Sequence, residues 1–277
     1  MLRFAARQRM WAGIALGIFS TMGCGDGEQS APGEKEVAAP KPQAEVEATQ
    51  ADPEDVELLD EFGGLPEPPK LPPPPGAKPM PKPNRAWIDA ESGVVLVDGY
   101  VSLREGMLEM FACPVGTKEH ESVVAVYCWA QVVHAALLAL GAETGTPVQF
   151  EPEFQPPTGT EIDIEVRWLD EAGNWQSAKA QDWVKDATTG KAMDHPWVFA
   201  GSGFWKDEET GREYYMAEAG DFICVSNFTT ATLDIPAESS QVNEGLLFEA
   251  FTESIPPLGT PVRLVLKPKL KPDSDDD

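Results

Sequence analysis

Lys118, Glu119, His120 and Glu121 set an ammonium, an imidazole and two carboxylates side by side between the apolar runs MLEMFAC and SVVAVYC. An imidazole titrates near neutrality and is the commonest metal ligand, while a carboxylate can serve as a base. The Lys118 ammonium can pair a ligand carboxylate or simply neutralise Glu119 and Glu121. Three further residues belong to the same inventory: Cys113 upstream, His134 in the following apolar segment, and His195, which precedes Pro196 in MDHPW and reads as an exposed loop histidine.

What these groups can do together depends on the strands that carry them. If MLEMFAC and SVVAVYC pair as a hairpin through PVGTKEHE, the chain returns to Cys113 at KEHE. A polar pocket is then expected at one end of the sheet, with Cys113, Lys118, Glu119, His120 and Glu121 around a small polar ligand. A strand from Glu121 to Cys128, at about 3.3 Å per residue, carries the chain roughly 26 Å from His120. A helix returning at about 1.5 Å per residue leaves some 20 Å between His120 and His134, so no metal site is assigned and His134 reads as buried packing. On the same hairpin, a Cys113 to Cys128 bridge exceeds the roughly 7 Å allowed between Cα atoms. Cys113, Cys128 and Cys224 are therefore expected to be buried thiols.

Signatures that would name a reaction are missing. The chain has no HExxH, GxSxG, GxxxxGK[ST] or EF-hand loop, so zincin, serine hydrolase, P-loop and calcium-switch chemistry lack their marks. AGSG at Ala200 to Gly203 reads as a bulge or close packing rather than a phosphate cradle. DEAGN and KDEETGRE read as hairpin loops. No catalytic residue and no cofactor is assigned. Three functional classes stay open: a domain that binds a small polar ligand or an envelope protein partner, a metal-assisted or thiol-dependent enzyme centred on KEHE, and a structural envelope component.

The positioning elements are mostly strands. TEIDIEVRWLD alternates Ile162, Ile164, Val166 and Trp168 on one face, and EAGN turns it into WQSAKAQDW, a hairpin. GVVLVDGYVSL is a strand interrupted at Asp98-Gly99 by a tight turn or a bulge. Further strands are expected at MLEMFAC, SVVAVYC, WVFAGSGF, REYYMA, DFICVSNF, ATLDIP, LLFEAF and PVRLVLK. AQVVHAALLALG, apolar nearly all round and ended by Gly141, is one buried helix. The expected fold is α+β, mainly β: a single domain of about ten antiparallel-rich strands with one buried helix, preceded by a disordered acidic and Pro-rich linker.

Charge and the ends of the chain bound where such a domain works. A formal net charge of -25 on 277 residues excludes nucleic acid as a partner of the folded part, because phosphate binding needs an excess of Lys and Arg. MLRFAARQRM, with three Arg and no acid, precedes the short apolar run WAGIALGIFS, the order of a secretory signal over residues 1–23. Cys24 in TMGCGDGE resembles the lipidated first residue of bacterial lipoproteins, although Thr21 stands where Leu is usual; ordinary signal-peptidase cleavage is the alternative. Lipidation predicts an exported protein held in the cell envelope by a lipid anchor on a membrane. Residues 24–83 are acidic and then proline-rich, and read as a spacer, disordered first and stiffer polyproline II afterwards, or as a ligand for a proline-recognising module. The folded domain is expected over 84–268 and an acidic tail over 269–277.

EMFACPVGTKEHESVVAV, VVHAALLALGAETGTPVQF, PWVFAGS and GDFICVSNFTTATLDIP, in this order and spacing, resemble the YdjY-type domain of bacterial exported proteins. The resemblance covers Ala86 to Leu266. It implies no settled activity. A ferredoxin-like label would imply iron-sulfur chemistry, and this chain lacks the CxxCxxC run that such clusters need.

Overall fold

The structure is a computed structural model that describes residues 71–239 and 245–270. The expected signal, Cys24, most of the spacer and all but the start of the tail lie outside the described residues. The strands, in chain order, are β1 (Lys78–Pro79), β2 (Ala86–Asp89), β3 (Val94–Val101), β4 (Met110–Pro114), β5 (Ser122–Val126), β6 (Glu161–Leu169) and β7 (Trp175–Lys179). Then follow β8 (Val184–Asp186), β9 (Trp197–Val198), β10 (Phe204–Lys206), β11 (Glu213–Tyr215), β12 (Ile223–Cys224), β13 (Phe248–Ala250) and β14 (Pro261–Pro268). One helix of ten residues, α1 (Ala130–Ala139), lies between β5 and β6.

Ten strands form one sheet in the order β12, β4, β5, β3, β14, β6, β7, with β2 beside the first half of β3, β1 beside β2, and β9 at the start of β6. The mainly β architecture with a single described helix is as the sequence predicts. The alternation in β6 buries Ile162, Ile164 and Val166 on the inner face, and the expected hairpin to β7 forms with Leu169 opposite Trp175. Val95, Val97, Val262, Leu264 and Leu266 continue that inner face and pack with Val133, Ala136 and Leu137 of α1 and with Trp197, Phe199 and Phe222. At roughly 1.5–3 kcal/mol for each large apolar side chain buried, this cluster is the main stabilising feature.

Three expectations need correction. β4 and β5 are not a hairpin: they run parallel, with Met110 opposite Ser122 and Cys113 opposite Ala125. The seven residues between them include a 3-10 turn, Glu119–Glu121, and return the chain to the starting edge of β4. Asp98-Gly99 is neither turn nor bulge but the middle of β3. Gly99 is required there because a Cβ would lie 2.3 Å from the carbonyl oxygen of Ala125 as β5 takes over from β2 at that edge. Finally, α1 is buried on one side only; Gln131, Ala135 and Leu138 are exposed.

The proline-rich stretch from Leu71, expected as stiff spacer, lies against the outer face of the sheet. Leu71 is buried, and the Pro72 carbonyl accepts a hydrogen bond from Arg263 Nη2 at 3.0 Å. Arg263 also donates from Nε and Nη2 to the two oxygens of Asp98, at 2.6 and 3.0 Å, and Arg85 Nη2 donates to the same carboxylate at 3.2 Å. The Arg263 guanidinium is 5.1 Å from the Trp87 ring centroid and 5.9 Å from that of Trp175. A fully buried carboxylate is tolerable only with such partners, since an unpaired one would lose several kcal/mol. β1 then pairs with β2, and Met80 N donates to the Ala86 carbonyl at 2.8 Å.

Candidate functional site

The KEHE residues separate once the crossover is folded. Ser122 Oγ donates to the Lys118 carbonyl at 2.7 Å, Thr117 Oγ1 donates to the Pro114 carbonyl at 2.6 Å, and Glu119 accepts from the Gly116 amide. This local bonding tightens the seven-residue return. Cys113 is fully buried beneath it, against Thr117, Ser122 and the Lys118 backbone. Burial pushes its thiol up to about 11, the opposite of a reactive cysteine. His120 does not reach Cys113. Its side chain is 77 % exposed, and among the described residues its close charged neighbour is the Glu121 carboxylate at 3.7 Å from Nε2.

Lys118 and Glu121 do converge, with partners the sequence did not suggest. The Lys118 ammonium is 3.1 Å from Asp221, 3.3 Å from Glu109 and 3.5 Å from Glu121, and sits 4.5 Å from the ring centroid of Phe228. Burial works to lower its pKa, but the three carboxylates outweigh that and hold it above the ordinary lysine range. Burial, then Glu121, raises Glu109. The ammonium is ringed by three protein carboxylates and so clamps strand to loop. Gly220, at φ +127°, makes room for it: a Cβ there would stand 2.6 Å from Lys118 Cγ.

The loop that supplies Asp221 continues into a buried polar network. Asp234 is fully buried; it accepts from the Ile235 amide at 2.8 Å, from Asn227 Nδ2 at 3.2 Å and from the Phe228 amide at 3.3 Å. Even with these donors, burial pushes its carboxyl up to about 7.

His134 is half-buried and lines a pocket of about 360 Å³ with Met80, Pro81, Gln131, Val132, Ala135, Phe204 and Tyr215. Its Nδ1 is 2.9 Å from the Tyr215 hydroxyl, which donates to the Gly201 carbonyl at 3.1 Å and lies 3.1 Å from Thr232 Oγ1. Phe199 and Tyr215 hold the ring edge-to-face, at 4.9 and 5.3 Å between centroids. The glycine-rich break AGSG is close packing: a Cβ on Gly201 would meet Thr144 Cγ2 at 2.7 Å. No sequence signal links His134 to Tyr215, since the two are joined only by tertiary folding. His195 lies at the edge of a broad surface groove, its ring 6.2 Å from Phe248. All three described cysteines are free and buried, as expected. Among the described residues no group of three His, Cys, Asp or Glu side chains is placed to hold a metal ion.

The YdjY domain model matches residues 86–267, more than half of the chain. The chain belongs to the YdjY domain family. No curated protein and no solved structure matches it. Within this YdjY domain lie the Lys118 clamp, the Asp234 network, His134 and Tyr215. Met80 and Pro81, which complete the pocket wall, precede the matched region.

Proposed function

We propose that this YdjY domain is the binding head of an exported lipoprotein, held to a membrane through Cys24, and that the pocket beside His134 receives a small ligand. One observation carries the binding assignment: the His134 imidazole is half-buried in a pocket whose lining is apolar apart from Gln131 and Tyr215, with its Nδ1 held by the Tyr215 hydroxyl. A few oriented polar groups in an apolar recess are the usual composition of a small-molecule site. The Lys118 cluster, one ammonium held among three carboxylates, supports a structural role for that residue. A protein-partner reading has its own support in the exposed aromatic hairpin of Phe204, Trp205 and Tyr214 beside the pocket.

Two experiments test the two halves of this reading. Cys24→Ser is expected to move the protein from the membrane to the soluble exported fraction; unchanged partition overturns the tether. Ala135→Trp places an indole in the pocket from an exposed helix position and leaves the core untouched. It is expected to abolish retention of any small molecule that mass spectrometry finds co-purifying with the full-length protein from its native envelope. Equal retention by the variant overturns the pocket assignment.

A further inference from the structure

Resting on the His134 pocket as the binding site, the hydrogen bonds around Tyr215 bear on the chemistry of its ligand. The Gly201 carbonyl only accepts, and the Tyr215 hydroxyl, which has one proton, donates to it at 3.1 Å. With that hydrogen on the Gly201 carbonyl, the phenol oxygen accepts from Thr232 Oγ1 and from His134 Nδ1, and this is the arrangement the proposal takes. In that arrangement Nδ1 carries the imidazole hydrogen, while burial lowers the pKa of the ring against a hydrogen bond with the Gly201 backbone that raises it. Nε2 is then the acceptor nitrogen, and none of the residues lining the pocket carries a formal charge. A charged ligand would lose its hydration there with no counter-ion. Two of the walls, Phe204 and Tyr215, are aromatic, with centroids 5.2 Å apart at 54°, and Phe204 is 62 % exposed, which leaves its ring open to a further partner.

We propose that the pocket binds a small neutral aromatic molecule with one hydroxyl or N–H group, a phenol or an indole, which donates to His134 Nε2 while its ring packs against Phe204 and Pro81.

The test uses the full-length protein, with phenol, anisole and benzoate as probes. Binding is followed by the imidazole nitrogen resonances of His134 and by the methyl resonances of Met80 and Val132. Before any probe is added, the spectrum must show the hydrogen on Nδ1; a hydrogen on Nε2 overturns the proposal outright. Phenol is expected to shift the Nε2 resonance and to bind roughly tenfold or more tightly than anisole, which has the ring but no donor. Benzoate is expected to leave the pocket resonances unmoved. Equal affinity for phenol and anisole overturns the donor assignment while leaving the pocket in place. If no probe moves any pocket resonance, the pocket reading falls with it. Tyr215→Phe removes the acceptor that holds the Nδ1 hydrogen and should lower phenol affinity with little effect on anisole. Equal losses for both probes would mean that Tyr215 acts only by shaping the wall.

Discussion

Replacing Lys118 with Met is expected to lower the free energy of unfolding by about 2–4 kcal/mol, because it strips the ammonium from three carboxylates that the fold holds together. Asp221, Glu109 and Glu121 all lie within 3.5 Å of its ammonium, and each side chain is at most 20 % exposed, too little for water to replace the lost charge. The like charges then repel one another, and acid should relieve them: the loss is expected to shrink as the pH is lowered through the carboxylate range. Glu121→Gln in the same chain should restore part of the stability, so that the two substitutions together cost less than their sum. Denaturant unfolding of the single and double variants at two pH values measures all of this. A loss within about 0.5 kcal/mol, typical of an exposed ion pair, would show that the clamp is ornamental.

Asp234 gives the second large effect, with the opposite charge logic. Its native pKa of about 7 stands well above the ordinary carboxylate value, because burial disfavours the anion. The native state therefore keeps a proton that the unfolded chain releases. The contribution of this group is present in full below the unfolded pKa and is lost as pH rises through 7. Between pH 6 and 8 the loss is on the order of 1 kcal/mol, since one pKa unit corresponds to about 1.4 kcal/mol. Asp234→Asn has no proton to release, and its melting temperature should be nearly flat over that range while the native protein's falls. The amide turns an N–H toward the Phe228 amide, so the variant should be the less stable of the two in acid. Parallel curves for the two proteins would refute the assignment of the pH dependence to Asp234.

The legible parts of this fold were those set by local pattern. The period-two alternation of Ile162, Ile164 and Val166, the EAGN turn, and the ten-residue apolar run of α1 each encode their own geometry. The crossover between Pro114 and Ser122 did not. Short connections join antiparallel strands as a rule, and parallel neighbours are usually a dozen or more residues apart. Seven residues thus read as a hairpin, and the expected pocket around His120 followed from that geometry. Asp98 misled for a related reason. An Asp-Gly pair is a strong turn signal, but this glycine answers to the approach of Ala125, and this aspartate to Arg263 and Arg85 across the sheet. Glu109, Asp221 and Tyr215 were missed because only tertiary folding brings them to Lys118 and His134.

The segment from Leu71 to Pro81 has a consequence for how the pocket and the outer face of the sheet communicate. Its first residues are pinned at the Arg263 guanidinium, and its last two, Met80 and Pro81, are a wall of the His134 pocket. A ligand in contact with that wall binds the docked segment better than a detached one, and by reciprocity it must hold the segment down by the same factor. Were the segment to dock as one unit, occupancy of the proposed pocket and docking at Arg263 would be linked, and a pull at Pro72 would weaken the ligand without touching it.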